Sequence, residues 1–260
     1  MNQSVKKAFD ILTFVINNNK KLSLNKMAQI LGMNKTTLYR FLNTLESIDV
    51  LGKIGNTYVP GIKLFQLGSK VPVKQLVVDK IHPILQALSE EVNETVNMGQ
   101  FSNDKVFYLD KTESQRSLQI RTRVGDFINL HASALGKSVM SILPEPTRES
   151  VFKQLTFERK TRHTITDLDR LKEDIKKIQE IGYSTDIEEW EEGLCCVAVP
   201  LHVESLDFYG AISFSGPSVR FTPKRIIEMA QRLNETATRI IHLFEEETDP
   251  LRSPEMNGGI

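Results

Sequence analysis

Side chains that can donate hydrogen bonds lie together on one face of a predicted helix near the amino terminus. Asn34 precedes this helix and is a favourable N-cap residue, because its side-chain oxygen can accept a hydrogen bond from a first-turn amide. Apolar residues at helical spacing predict a buried stripe: Leu38, Phe41, Leu42 and Leu45. The opposite face carries groups suited to phosphate oxygens and base edges: Lys35, Thr36, Thr37, Tyr39, Arg40, Asn43 and Thr44. The pattern predicts a helix that contacts DNA.

The elements around this helix favour a winged helix-turn-helix. Residues 23–45 read as two short helices joined by a turn at Gly32, and we add Ser23 and Asn34, at the starts of these two helices, to the candidate DNA contacts. The segment 50–59 alternates apolar and polar residues around Gly55-Asn56, which predicts a hairpin wing, with Lys53 as a further DNA contact. Two flanking segments are expected to complete the core, through Val5, Ala8, Leu12, Val15 and Ile16 before it and Ile62, Leu64, Phe65 and Leu67 after it.

Charge supports this interpretation. Residues 1–68 contain nine Lys or Arg and three Asp or Glu, so they carry net +6, whereas the whole chain has net charge zero. The other 192 residues must therefore carry net −6. A basic module suits a phosphate backbone, whose contribution to affinity is largely electrostatic.

Length and composition indicate two ordinary domains. The chain has 260 residues, 40% of them hydrophobic and 25% charged, which is enough for two cores. No apolar run approaches 18 residues, so we expect no membrane span, and Lys6, Lys7 and Asp10 interrupt any secretory leader. The two cysteines, Cys195 and Cys196, are adjacent and poorly placed for a disulfide, which favours a cytoplasmic location.

We predict four parts of the chain: a DNA-binding domain at 1–70, a linking helix at 71–92 that is also a candidate for pairing two subunits, a second domain at 93–246 and a flexible tail at 247–260. In the second domain the expected strands are 95–101, 105–111, 118–121, 183–187, 195–203 and 208–214. The expected helices are 133–143, ended by Pro144, 167–181, capped by Thr166, and 222–245. This alternation predicts an α+β fold on an antiparallel sheet.

Four separated blocks stand out in the second domain: 130–137 (LHASALGK), 182–189 (GYSTDIEE), 193–198 (GLCCVA) and 211–217 (AISFSGP). In the order and spacing of these blocks, and over nearly its whole length, the chain resembles the isocitrate lyase regulator (IclR) family of bacterial transcription factors. The resemblance implies a winged helix-turn-helix, a linking helix and a GAF-like domain that binds an effector.

The resemblance also implies where a small carboxylate effector binds. Backbone amides at Ala134 and Leu135 would hold it, polar side chains at Asp186, Cys196, Ser213 and Ser215 would complete the site, and Ile120, Ile128 and Leu194 would form apolar walls. Amides and hydroxyls near the start of the 133–143 helix make a donor-rich, positive-dipole site, which is physically suited to an anion.

Two other classes remain open. Cys195 and Cys196, beside Asp186, Glu189 and His202, could form a redox or nucleophilic centre in a GAF-like enzyme. A metal- or redox-responsive regulator could use Asp186, Cys196 and a histidine. Each residue also has a purely structural interpretation, since a strand cysteine is commonly a small buried group and His131 is more often a core hydrogen-bonding residue than a ligand.

We therefore expect a regulator, with repression implied by the resemblance, that is not an enzyme and needs no cofactor or metal. It would bind a near-palindromic double-stranded operator as a dimer or tetramer and respond to a small organic acid.

Overall fold

The computed structural model describes residues 2–18, 22–71, 77–116 and 122–248. These residues form two compact units, divided between residues 71 and 77. None of the helices in the described ranges is long and apolar enough to cross a membrane. The predicted linking helix is described only from Val77, and the predicted strand at 118–121 and most of the predicted tail lie outside the described residues.

The first unit is a small helical bundle with a hairpin. It contains α1 (Gln3–Asn17), α2 (Leu24–Ile30), α3 (Lys35–Ser47), β1 (Leu51–Ile54), β2 (Thr57–Pro60) and α4 (Ile62–Gly68). Gly32 has φ +60° between α2 and α3, and Gly55 has the same φ between the antiparallel strands β1 and β2. Both turns need the left-handed backbone that glycine adopts without strain. The helix-turn-helix and the two-residue hairpin are therefore confirmed.

The core of this unit differs from the prediction at its two ends. The buried residues include Leu12 and Val15 of α1 with Leu38, Leu42 and Leu45 of α3. The expectation was wrong for several flanking residues that are largely exposed: Val5, Ile16, Ile62, Phe65 and Leu67. Helical periodicity identifies an apolar face without identifying what covers it, which is why these residues were misassigned.

The second unit is built on a six-stranded antiparallel sheet. The strands are β3 (Thr95–Ser102), β4 (Lys105–Thr112), β5 (Phe127–Ile128), β6 (Ser184–Ile187), β7 (Leu194–Val203) and β8 (Phe208–Pro217), in the order β5-β4-β3-β8-β7-β6. The helices are α5 (His82–Val92), α6 (Ala134–Ile142), α7 (Glu145–Gln154), α8 (Leu168–Ile181) and α9 (Pro223–Thr248). The predicted α+β fold is confirmed. Helix α7 was missed because the prediction stopped at Pro144, yet proline is favoured at a helix start.

Helices cover both faces of the sheet. Apolar residues of α6 pack with Ala198 and Ala211, so we call the side of the sheet that bears these two residues the α6 face. Phe244 of α9 contacts Phe208, which alternation places on the opposite face. A π-helical turn, Val77–Ile81, leads into α5, which packs on β3 and β4. Asp167, not Thr166, caps α8, since its side chain accepts from the Arg170 amide.

An ion-pair cluster joins the start of β3 to the start of α9. Glu94 is fully buried and accepts from Arg220 Nε at 2.7 Å and from Arg225 at 3.0 Å. Burying an unpaired carboxylate would be costly, so these guanidinium groups are needed where the strand begins. The sequence pattern did not predict this cluster, because Glu94 is more than 120 residues from either arginine.

Candidate functional site

The outer face of α3 presents the predicted DNA contacts to solvent. Asn34 caps the helix, and its Oδ1 accepts from the Thr36 amide at 2.8 Å. The exposed members of the set are Asn34, Lys35, Thr36, Tyr39, Arg40 and Thr44, while Thr37 and Asn43 are half-buried. The three leucines of the stripe are buried on the other side. Exposed donors on a rigid helix that is anchored by its opposite face form the arrangement required to enter a major groove.

Two of the other predicted contacts already have partners within the chain. Ser23 caps α2 by accepting from the Lys26 amide, and its hydroxyl proton can still be donated. Lys53 on the wing forms an ion pair with Glu46 at 2.6 Å and lies 4.8 Å from the centre of the Tyr58 ring. Its ammonium is thus partly neutralised, which makes Lys53 a weaker phosphate contact than the sequence suggests.

Strand register places the predicted pocket side chains on one face of the sheet. Asp186 pairs with Cys196, and Cys196 pairs with Ser215. Ser213 pairs with Ala198, a residue of the α6 face, and residues two apart on a strand share a face. Asp186, Cys196, Ser213 and Ser215 therefore all lie on the α6 face, although they come from three strands.

The first turn of α6 lies against this face. Ser133 caps the helix, and its Oγ accepts from the Gly136 amide at 3.0 Å, while its carbonyl accepts from the Lys137 amide. Within the described part of the chain, the amides of Ala134 and Leu135 have no hydrogen-bond partner. The Ala134 carbonyl accepts from Ser184 of β6 at 2.7 Å, which holds the helix start against the sheet. Two free amides at a helix start favour an anion.

Glycine is required at position 136. A Cβ added there would lie 2.5 Å from the Asn129 carbonyl oxygen and 2.6 Å from Leu130 Cα, both backbone atoms. The Asn129 side chain in turn accepts from the amides of His131 and Ala132. Gly136 thus allows the segment before α6 to pack directly on its first turn.

Asp186 is buried, with 1% of its surface exposed. Its Oδ1 accepts from the amides of Glu189 at 2.7 Å and Trp190 at 3.4 Å. Burial raises the pKa of the Asp186 carboxyl to about 7, and the Glu189 carboxylate adds to this shift. Asp186 therefore titrates near neutral pH instead of staying ionised.

A buried lysine connects α6 to the segment after Asp186. Lys137 Nζ donates to Glu189 at 2.6 Å and forms an ion pair with Asp174 of α8 at 2.9 Å. Burial alone would lower the pKa of Lys137, but the two carboxylates outweigh that effect and raise it. We infer that Lys137 is charged and fixes the position of α6 relative to the 186–189 segment.

Two of the three predicted wall residues lie on the α6 face. Ile128 of β5 pairs with Val106 and belongs to the core cluster packed on α6, together with Ala134 and Leu135. Leu194 shares a face with Cys196 by strand alternation. Ile120 lies outside the described residues.

Sequence reasoning missed two side chains on the α6 face. Asn97 of β3 pairs with Ser213 and is buried, and its Nδ2 donates to Ser215 Oγ at 3.1 Å. Tyr108 of β4 is brought to this face by a bulge in the β3–β4 register. Burial raises the pKa of the Tyr108 hydroxyl, with contributions from Cys196 and Asp186 nearby. A polar residue at an inward-facing strand position was the available signal.

The two cysteines lack the chemistry of a nucleophile. Burial raises the pKa of the Cys195 thiol to about 12 and also raises the pKa of the Cys196 thiol. A reactive cysteine needs the thiolate, and these groups hold their protons at neutral pH. His202 is six residues beyond Cys196 on β7, about 20 Å along the strand, so it cannot act on that thiol.

The described residues contain no group of three His, Cys, Asp or Glu side chains arranged to hold a metal ion. His131 is buried, its Nε2 lies 3.4 Å from the Glu158 carbonyl oxygen, and its ring packs against Phe157. Burial lowers the pKa of His131, in agreement with a neutral core residue.

Comparisons with known proteins agree with this geometry. Residues 4–53 match the IclR helix-turn-helix domain, and residues 70–242 match the bacterial transcriptional regulator IclR C-terminal domain. The chain is 30% identical over 239 residues to the HTH-type transcriptional regulator KdgR of Dickeya chrysanthemi, covering 91% of this chain and 78% of that protein. It is 28% identical to the transcriptional repressor IclR of Escherichia coli K12, covering 92% and 88%.

A solved structure, that of Thermotoga maritima IclR, aligns with a TM-score of 0.69 and 30% identity over 93% of this chain and 98% of that one. The curated relatives are named as transcriptional regulators and repressors, and none of those cited is named as an enzyme. With both domain models matched in the expected order, this chain belongs to the IclR family of bacterial transcriptional regulators.

Proposed function

We propose that this chain represses transcription by binding a near-palindromic operator as a dimer or tetramer, and that a small carboxylate bound on the α6 face controls its affinity for DNA. The observation that carries the ligand-binding part of this proposal is the pair of amides at Ala134 and Leu135, which have no hydrogen-bond partner among the described residues. They lie at the start of a helix that packs on a row of polar side chains. An anionic carboxylate is the ligand that such donors favour.

Asp186 supports a carboxylate site only in its protonated form. An ionised Asp186 beside an anionic ligand would be repelled, whereas a neutral carboxyl can donate a hydrogen bond to the ligand. Because its pKa is raised to about 7, the neutral form is available near neutral pH.

The DNA-binding part of the proposal rests on the exposed hydrogen-bond donors of α3 and on the net charge of +6 over residues 1–68. Arg40 is the best candidate for bidentate contact with guanine or phosphate, since its guanidinium is exposed and presents paired donors. Two copies would place their α3 helices in successive major grooves, which requires a site with two-fold symmetry.

The test uses purified full-length protein and fluorescently labelled DNA from the region upstream of its own gene. We expect binding that weakens steeply as salt rises, because phosphate contacts release counterions. Adding members of a panel of small carboxylates should change the affinity through a coupling energy of about 1 to 3 kcal/mol, and DNA should change ligand affinity by the same factor. DNA binding that does not change with salt would contradict the DNA-binding part of the proposal. If a carboxylate raises the melting temperature of the protein but leaves its affinity for DNA unchanged, the proposed control by ligand is contradicted.

A further inference from the structure

Two buried polar atoms on the α6 face lack partners. Among the described residues, Asn97 Oδ1 and Ser213 Oγ make no hydrogen bond. Both side chains are almost fully buried, with 3% and 1% of their surfaces exposed. A buried polar group without a partner carries a free-energy cost and calls for an explanation such as a bound water or ligand.

The two atoms come from directly opposed residues. Asn97 of β3 and Ser213 of β8 are register partners, so their Cβ atoms are about 5 Å apart and their polar ends can reach one oxygen between them. The Asn97 amide nitrogen is already held by Ser215 Oγ at 3.1 Å, which directs Oδ1 away from that serine. The remaining pair consists of an acceptor, Asn97 Oδ1, and a hydroxyl that can donate, Ser213 Oγ.

A single hydroxyl group satisfies both atoms at once, because it can donate to Asn97 Oδ1 while it accepts from Ser213. A carboxylate oxygen or an unsubstituted methylene cannot, since neither can donate to Asn97. The free amides of α6 supply a separate anchor for a carboxylate.

We propose that the ligand of this site is a hydroxy acid, whose hydroxyl group binds between Asn97 and Ser213 while its carboxylate binds the first turn of α6. This inference rests on the proposed carboxylate site and names the class of ligand that the site selects. Asn97 is then a specificity-determining residue. Asp186 and Ser215 are two strand spacings apart, about 10 Å, so the test uses acids of three to six carbons, which are no longer than this row.

Isothermal titration calorimetry on the full-length protein tests this with matched acids: lactate and propionate, 3-hydroxybutyrate and butyrate, gluconate and hexanoate. In the wild type we expect at least one hydroxy acid to bind about 10-fold or more tightly than its unsubstituted partner, because the partner leaves the buried groups unpaired. Asn97→Leu should bring this ratio close to one and leave the affinity for the unsubstituted acid unchanged or higher.

The matched control is Gln100→Leu, which makes the same amide-to-leucine change on β3. Gln100 is half-buried and lies on the opposite face of the strand, so the control should keep the wild-type ratio. If Asn97→Leu does not fold, Ser213→Ala is a smaller change that should also reduce the ratio.

The outcomes separate the two proposals. Equal affinity of the wild type for both members of every pair overturns the hydroxy-acid inference and leaves the carboxylate site standing. The same conclusion follows if Asn97→Leu and Ser213→Ala both still bind the hydroxy acid more tightly than its unsubstituted partner. If no acid of the panel binds, both proposals fail.

Discussion

Replacing Asp186 by asparagine tests the electrostatics of the α6 face directly. The asparagine side chain keeps an oxygen that can accept from the amides of Glu189 and Trp190, as Asp186 Oδ1 does. The change therefore removes the titration with little loss of hydrogen bonding. The effect of pH on stability should then differ between the wild type and Asp186→Asn.

The direction in which stability changes with pH follows from the raised pKa of Asp186. Burial raises the pKa of Asp186 from 3.8 to about 7, so the folded chain binds this proton more tightly than the unfolded chain does. The stabilisation is fully present below pH 3.8 and is lost as the pH rises through about 7. A rise in pKa of this size corresponds to about 4 kcal/mol in total, of which about 2 to 3 kcal/mol is lost between about pH 5 and pH 8.

Urea unfolding followed by tryptophan fluorescence measures this change. Trp190 is the only tryptophan of the chain, and its backbone amide contacts Asp186, so the fluorescence reports on unfolding of the second unit. Protein concentration must be held constant, because any self-association would contribute to stability. Between pH 5 and pH 8 the wild type should lose about 2 to 3 kcal/mol more than Asp186→Asn does.

Glu191→Gln is the control, because it removes an exposed carboxylate from the same segment. It should follow the pH dependence of the wild type. If Asp186→Asn also changes with pH in parallel with the wild type, the raised pKa of Asp186 and the argument built on it are refuted.

Three other predictions concern different parts of the molecule. Arg40→Ala should weaken operator binding by about 1 to 3 kcal/mol in a fluorescence-anisotropy titration, and it should relax the sequence preference at one base pair if Arg40 contacts a base. Lys53→Ala should weaken binding less, because the Lys53 ammonium is already paired with Glu46. An equal loss in both variants would contradict the role given to the Lys53 ion pair. Gly136→Ala should lower the melting temperature of the second unit in calorimetry, since its methyl group would meet backbone that cannot move cheaply; an unchanged melting temperature would show that the α6 start adjusts without cost. Alkylation of Cys195 and Cys196 by iodoacetamide at pH 7.5, followed by mass spectrometry, should be much slower than for a free thiol, and rapid reaction would disprove the raised pKa values.

Elements with strong local signals were predicted well. The stripe Leu38, Leu42 and Leu45, the cap at Asn34 and the Gly55 turn all act over a few residues, so neighbouring sequence contains the information needed. Errors occurred where burial depends on distant packing. Phe65 reads as a core residue by periodicity but is 65% exposed, since periodicity identifies an apolar face and does not fix how much of it is buried.

The proposed ligand site shows the same division. The blocks 182–189, 193–198 and 211–217 contain the strand residues that were predicted to form it, and the resemblance implied most of its proposed polar residues. Asn97 was not found, because only the pairing of β3 with β8 places it opposite Ser213. Lys137 was seen within a matched block, but its two buried carboxylate partners come from α8 and from the segment after β6.

The amino-acid sequence by itself determined the helix-turn-helix, the wing, the concentration of positive charge in the first unit and the alternation of strands and helices, because each arises from residues close together in the chain. The tertiary structure alone decided which side chains share the α6 face and how far the pKa values of their titratable groups are shifted. Strand register joins residues more than 100 positions apart, and burial, which sets the pKa of Asp186, exists only once those strands and α6 have packed.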